Sequence, residues 1–325
     1  MDLATSVNVA IADRDHALDT KEFTIQELTT GLLSDHATIS PKYFYDTVGS
    51  VLFETICVLP EYYPTRTEAG IFTRHLTDIS QTIGPGGTLI DLGAGNCAKA
   101  ARLFPFLHPD QYVPIDISVN HLTDSVRHLR QRFPHIEMTA LGMDFSKNWT
   151  LPDEVRSDQR LFFYPGSSIG NFHPDIALTF LKKIRAACDA DGGILIGIDL
   201  IKDSATLNAA YDDDLGVTAA FNLNALRHVN QLLGSDFDIR QWQHYAFFNA
   251  QQSRIEMHLE ARMNLQVKWG NNHRHFIRGE RIHTENSYKY SLPLFLELLS
   301  AAGFGKARHW SDDANWYAVI YAKAI

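Results

Sequence analysis

The chain has 325 residues, 45% of them hydrophobic, enough to bury one large core or two intertwined ones. Its formal net charge is -9 at pH 7 and no Lys/Arg-rich run stands out, which disfavours a polyanion partner. Cys57, Cys97 and Cys188 are scattered and form no CxxC, no apolar run reaches membrane-spanning length, and Met1-Asp2-Leu3 begins no apolar signal core. The expectation is a cytoplasmic protein with neither a nucleic-acid nor a membrane partner.

Residues 1–35 read as an extended arm and a short helix, with Thr24-Ile25-Gln26-Glu27 as a capping box before Leu28 and Leu32. Residues 40–75 are dense in aromatics: Tyr43-Phe44-Tyr45, Phe53, then Tyr62-Tyr63-Pro64. Alternating elements begin near residue 88. Strands are expected over Thr88–Leu92, Tyr112–Ile117, Ile136–Leu141, Leu161–Pro165 and Ile194–Leu200. Helical patterns lie between them over Ala98–Phe106, Asn120–Phe133 and Ile176–Cys188. This alternation implies an α/β fold with a mainly parallel sheet.

The rhythm breaks after Ile201. Residues 205–234 read as helices, and Tyr245–Phe248 and Ile255–Leu259 read as strands. An amphipathic helix over Leu292–Ala302 and a strand over Trp316–Ala322 then resume the first pattern. Residues 202–288 therefore read as an insertion before the last helix–strand unit.

The run Ile90-Asp91-Leu92-Gly93-Ala94-Gly95-Asn96 reads as a strand, a glycine turn and a helix start. Asp116 ends the next strand, 25 residues after Asp91. Glycines let backbone approach a ligand closely, and an acid there offers two acceptors to ribose hydroxyls. The turn lacks the third glycine of a dinucleotide site, so S-adenosylmethionine (SAM) is read before NAD. Asp144-Phe145, after the third strand, suits an adenine, although Asp144 could also be only a helix cap. Lys99, one turn into the first helix, could meet the methionine carboxylate. Gly166-Ser167-Ser168, after the fourth strand, should join the same cleft. His273 and His275 lack a third ligand at useful spacing and read as a solvated turn or strand, so no metal is expected. Asp212-Asp213-Asp214 reads as a polar helix end or loop with one acid supporting a pocket.

Five stretches carry a resemblance: Tyr43-Phe44-Tyr45-Asp46-Thr47-Val48-Gly49-Ser50, Leu59-Pro60-Glu61-Tyr62-Tyr63-Pro64-Thr65-Arg66, Gly166-Ser167-Ser168-Ile169-Gly170-Asn171-Phe172, Tyr211-Asp212-Asp213 with Gly216–Asn222, and Glu285-Asn286-Ser287-Tyr288-Lys289-Tyr290. With them the chain resembles the histidine-specific N-alpha-methyltransferases of ergothioneine biosynthesis. The resemblance implies a Rossmann-like class I SAM-dependent methyltransferase with an inserted α+β substrate-binding domain. Residues 1–65 and 202–288 would form the substrate-binding domain, and 66–201 and 289–325 the methyltransferase domain. The implied activity moves three methyl groups from SAM onto the α-amine of L-histidine, giving hercynine. By motif, Tyr62, Asn171 and Tyr211 would hold the carboxylate and amine end, and Glu285 and Ser287 the imidazole. Tyr45, Phe53, Gly166, Ser168 and Met257 would line the pocket, with Tyr45 and Asn171 closest to the catalytic step. Gly93, Lys99, Asp116, Asp144 and Phe145 would bind the cofactor. The family more often has Ser where this turn has Ala94, which leaves both glycines in place. A monomer is expected. The alternatives are a relative acting on another amino acid or amine, such as tryptophan, and a non-catalytic cofactor-binding partner.

Overall fold

The computed structural model describes residues 9–11, 17–146 and 149–325; the rest of the expected N-terminal arm, residues 1–8 and 12–16, lies outside them. In chain order, β1 (Val9–Ile11) precedes α1 (Ala17–Leu33), α2 (Thr47–Ile56) and α3 (Tyr63–Ile83). The alternating stretch follows: β2 (Thr88–Leu92), α4 (Ala98–Ala101), α5 (Phe104–Leu107), β3 (Gln111–Asp116), α6 (Val119–Arg132), β4 (Glu137–Met138), β5 (Ala140–Gly142), β6 (Arg160–Tyr164), α7 (Pro174–Ala187) and β7 (Gly193–Asp199). Next come α8 (Ser204–Tyr211), α9 (Val217–Leu233), β8 (Trp242–Asn249), β9 (Arg254–Ala261), β10 (Leu265–Trp269), β11 (Asn272–Phe276) and β12 (Arg281–Tyr288). The chain closes with α10 (Leu292–Ala301), β13 (Phe304–Ser311) and β14 (Tyr317–Ala324).

The helix expected over Ala98–Phe106 is two short helices. Pro105 cannot donate to a continuing helix, and it falls in the first turn of α5 instead. The strand expected over Ile136–Leu141 is split at Thr139 into β4 and β5, and β13 was not expected at all.

The large sheet runs β1-β5-β3-β2-β6-β7-β14-β13, with β4 beside β3. Every pairing from β1 to β7 is parallel. β14 enters antiparallel to β7, and β13 antiparallel to β14. Alternate residues of the strands bury on opposite faces. Ile90, Val113, Phe162 and Ile196 pack with Leu181 and Phe295 on one side. Leu89, Tyr112, Leu161 and Leu195 pack with Ile71 and Val126 on the other. The chain runs outward from β2 in one direction through β3 and β5, and in the other through β6 and β7. That reversal places a crevice at the carboxyl ends of β2 and β6, where open α/β sheets take ligands.

The inserted block holds an antiparallel sheet, β12-β9-β8, and the hairpin β10-β11. Leu226 and Val229 of α9 pack on Trp242, Leu259 and Ile282 of this sheet. The block leaves and rejoins the large sheet at one place: the Tyr290 N–H donates to Asp199 O at 3.0 Å, and the Leu200 N–H to Trp316 O at 2.9 Å. β1 pairs with β5, so residues 9–11 extend the large sheet, although the expected partition groups them with the inserted block. Among the described residues no helix is long and apolar enough to cross a membrane.

Candidate active site

The turn after β2 holds Gly93 at φ +70° and Gly95 at φ +51°, in the left-handed region that glycine reaches without strain. A Cβ at Gly95 would have nothing within 4 Å, so the turn is an open cradle. Asp116, at the end of β3, braces it: Oδ2 accepts from the Gly95 N–H and Oδ1 from the Ser118 N–H, each at 2.9 Å. Each oxygen keeps lone-pair capacity for a ligand hydroxyl. Phe145 faces Gly93, with its ring edge 3.6 Å from where a Cβ would stand. Asp144 accepts from the Ser146 N–H at 3.1 Å, and its other oxygen lies 3.8 Å from Lys42 Nζ. Asp91 is not open to a ligand. It is buried and accepts from the Tyr112 hydroxyl at 2.7 Å, and burial pushes its carboxyl up to about 7. These residue types in this arrangement fit an adenosyl group: an open glycine cradle, a ribose acid, and an aromatic face beside a carboxylate.

Lys99 pairs with Glu68 at 2.6 Å, a partner the sequence reading missed. The Glu68 carboxylate also accepts from the Gly166 N–H and the Tyr317 hydroxyl, both at 2.7 Å. Its signal was a carboxylate on the apolar stripe Glu68, Ile71, Phe72 of α3, all three of them buried. Such a position needs an internal partner. Gly166, at φ +78°, brings Lys99 Nζ within 3.2 Å of where a Cβ would sit. The cofactor turn and the turn after β6 therefore meet.

Beside this crevice lies a partly open cavity. All ten residues expected around the substrate line it: Tyr45, Phe53, Tyr62, Gly166, Ser168, Asn171, Tyr211, Met257, Glu285 and Ser287. Phe221, Ile56, Ala210 and Thr218 line it as well without having been expected there, and so does Ser167 of the turn expected at the cleft. The motif around Asp46 explains the aromatic wall. Asp46 caps α2 by accepting from the Gly49 N–H at 2.7 Å, and it also accepts from Asn224 of α9 at 2.8 Å. A Cβ at Gly49 would fall 1.7 Å from Phe44 O, so only glycine lets α2 start here. α2 then carries Phe53 into edge contact with Tyr45 at 5.6 Å and Tyr62 at 6.4 Å, and Tyr62 meets Tyr211 at 6.0 Å. Of the three acids at 212–214, Asp213 is the supporting one. It accepts from the N–H groups of Val217 and Thr218 at 2.9 and 2.7 Å and fixes the start of α9.

Glu285 reaches the cavity because of a bulge. His283 of β12 is opposite His258 of β9, but Glu285 is opposite Met257, so Thr284 is an extra residue in the ladder. A one-residue shift moves the following side chains to the other face of a strand. Glu285 and Ser287 thereby share the face of Met257 instead of that of His258. The Thr284 hydroxyl pins the bulge, within reach of Asn222 Oδ1 at 2.9 Å and Met257 O at 3.0 Å. Gly170 lets the turn after β6 approach β12, since a Cβ there would lie 2.8 Å from Tyr288 O. Asn171 Nδ2 then donates to Glu285 Oε1 at 3.1 Å. The Ser168 hydroxyl is turned back on Pro165 O at 3.2 Å.

Burial pushes the Glu285 carboxyl up to about 7, against the pull of Lys289 and the Asn171 hydrogen bond. Burial likewise raises Tyr45 and Tyr62 well above the ordinary phenol value, so both stay neutral. Tyr211 and Ser287 hydrogen-bond to each other at 2.8 Å. His273 and His275 stand exposed on β11, and among the described residues no group of three or more His, Cys, Asp or Glu side chains is placed to hold a metal.

A Rossmann-like sheet with this cradle, opening beside a polar and aromatic cavity, defines a class I SAM-dependent methyltransferase. A family profile described as "Histidine-specific methyltransferase, SAM-dependent" matches residues 24–324. Histidine N-alpha-methyltransferase of Mycobacterium tuberculosis is 35% identical over 303 residues, covering 91% of this chain and 94% of that protein. Ergothioneine biosynthesis protein 1 of Neurospora crassa is 29% identical over 86% of this chain, which spans 32% of that longer protein. The 4-dimethylallyltryptophan N-methyltransferase easF of Arthroderma benhamiae is 27% identical, with 89% of each chain covered. The chain belongs to the histidine-specific, SAM-dependent methyltransferase family.

Proposed function

We propose that this enzyme methylates the α-amine of L-histidine three times and gives hercynine, a step of ergothioneine biosynthesis. The observation that carries the reading is the placement of Glu285, Asn171, the Tyr211–Ser287 pair and the aromatic wall around one cavity. Gly93, Asp116, Asp144 and Phe145 would hold the adenosyl part of SAM and Lys99 its methionine end. Bound SAM supplies an electrophilic methyl group on a sulfonium.

The protein's own part is to hold a neutral amine in line and to tolerate the cation that forms on it. Asn171 commits Nδ2 to Glu285, which leaves Oδ1 to accept an amine N–H. Tyr62 would donate to the carboxylate, with Tyr211 beside it at that end and its own hydroxyl proton in the bond to Ser287. A free amino acid amine is mostly protonated near neutral pH, so a proton must leave before transfer. Tyr45, Tyr62 and cavity water can relay it. The faces of Tyr45, Phe53 and Tyr62 attract the growing ammonium, by about 0.5–2 kcal/mol per good contact. This is also how a trimethylated nitrogen, with no hydrogen to donate, keeps a favourable environment. At the ring end, Glu285 Oε2 would accept one imidazole N–H while Ser287 donates to the other nitrogen.

The dimethylallyltryptophan-acting relative supports a second reading, an enzyme for another amino acid or amine. Glu285 and Ser287 argue for histidine, because an indole offers only a donor. A labelled-methyl transfer assay over a panel of free amino acids separates the two: histidine should dominate, and preferred labelling of tryptophan or another amine would replace the first reading with the second. The same reading treats the protein as a cytoplasmic monomer acting on a small molecule, apart from membrane and from nucleic acid; the charge of -9 supports only the last of these. It keeps residues 1–65 and 202–288 as the substrate-binding part, and 66–201 and 289–325 as the methyltransferase part.

A further inference from the structure

Lys289 lies behind the cavity rather than in it. Its side chain is fully buried, and its three N–H bonds have three acceptors: Asp199 Oδ2 at 2.8 Å, the Tyr211 hydroxyl at 3.0 Å and Ser287 Oγ at 2.8 Å. Asp199 is itself held by Lys202 at 2.6 Å and by the Tyr63 hydroxyl at 2.7 Å. The lysine is therefore locked as an ammonium at the join between β7 and the end of β12. An ammonium donates and never accepts.

This has a consequence for the two hydroxyls. Tyr211 and Ser287 own one hydroxyl proton each, and one of these lies in the bond between them. The other cannot point at Lys289, which has no lone pair to offer. It is left for the cavity that both side chains line. We infer that Lys289 is a positioning residue that commits the Tyr211–Ser287 pair to donate one hydrogen bond to the substrate, so that this end of the pocket selects ligands presenting an acceptor. Glu285 Oε2 supplies the complementary acceptor, since Oε1 is taken by Asn171. A ring with N–H on one side and a bare nitrogen on the other satisfies both. A ring that carries only N–H leaves the committed hydroxyl without a partner. This inference rests on the proposed histidine reading and adds the cause of its ring selectivity.

The test compares kcat/KM for histidine with that for an analogue whose ring is a pyrrole, which keeps an N–H and lacks the acceptor nitrogen. Wild type should favour histidine by about 100-fold or more, within the range for a site left with unpaired polar groups. In Lys289→Met the hydroxyl pair is free to turn and accept, and the ratio should shrink by about tenfold or more, chiefly through KM, with calorimetric SAM affinity held within about twofold. Lys289→Arg keeps a donor-only head and should retain the ratio within about threefold. If Lys289→Met does not fold, Lys289→Gln gives the same contrast, because its amide can accept. Equal losses for both substrates, with the ratio unchanged, would overturn the inference and leave Lys289 a structural residue. Wild type that ignores histidine but methylates another amine would overturn the functional reading instead.

Discussion

Asn171 and Glu285, 114 residues apart in the chain, are joined by a hydrogen bond of 3.1 Å. One sits in the turn after β6 and the other on β12, so the bond ties the methyltransferase sheet to the inserted block at the cavity wall. Under the proposed function, the amine grip and the ring grip on the substrate are mechanically one unit. Asn171→Ala should lower kcat/KM for histidine by about 10- to 150-fold, the equivalent of one charge-assisted hydrogen bond. SAM binding, followed by calorimetry, should persist. Loss of both would point to misfolding and count against the assigned role.

Glu285→Ala should act mainly on histidine. The Michaelis constant for histidine should rise by about tenfold or more while that for SAM stays within about twofold. Unchanged constants for histidine would remove Glu285 from the binding site.

Glu285 should also cost stability in the ligand-free protein. Its carboxyl is pushed from 4.5 to about 7 in the folded chain. As pH rises from below 4.5 to above 7, the unfolded chain gives up this proton before the folded chain does, and stability falls across that window. Glu285→Gln never ionises and escapes the fall. It should gain on wild type by up to about 3 kcal/mol at pH 8, with the gain vanishing toward pH 4. Urea unfolding at the two pH values measures this. A gain that does not change with pH would contradict the assignment.

The bulge at Thr284 makes a structural prediction. Thr284→Val keeps the shape but removes the hydroxyl that bridges to Asn222 and Met257, leaving buried polar groups short of a partner. The urea midpoint should fall by the equivalent of about 1–3 kcal/mol, with part of the histidine affinity lost as Glu285 loosens. A stability equal to wild type would show that the register is held elsewhere.

Phe53→Leu should slow the later transfers more than the first, since each methyl added makes the nitrogen depend more on aromatic faces and less on hydrogen bonds. Mono- and dimethylated species should accumulate in a time course read by mass spectrometry. An unaltered product distribution would argue that Phe53 is only part of the wall.

The strand–turn–helix at Thr88–Asn96 and the alternation after it were legible because strand period, glycine turns and buried apolar runs are local signals. The ten cavity residues were legible through motif resemblance; no spacing rule would have brought Tyr45, Asn171 and Glu285 together. Glu68, Asp199 and Lys289 escaped notice because a buried charge looks like any surface charge until its partner, far along the chain, is known. The bulge at Thr284 was hidden for a related reason: register is a property of two strands, and β12 read alone gives Glu285 the same face as His283. β13 was missed because its exposed Lys306, Arg308 and His309 blur any apolar alternation.

The most direct test is mass spectrometry of the product formed from purified protein, L-histidine and SAM. The expected product is histidine carrying three methyl groups on the α-nitrogen, with mono- and dimethyl species as transients. Intact, SAM-binding protein that leaves histidine unmodified, or that places the methyl on the ring, would contradict it.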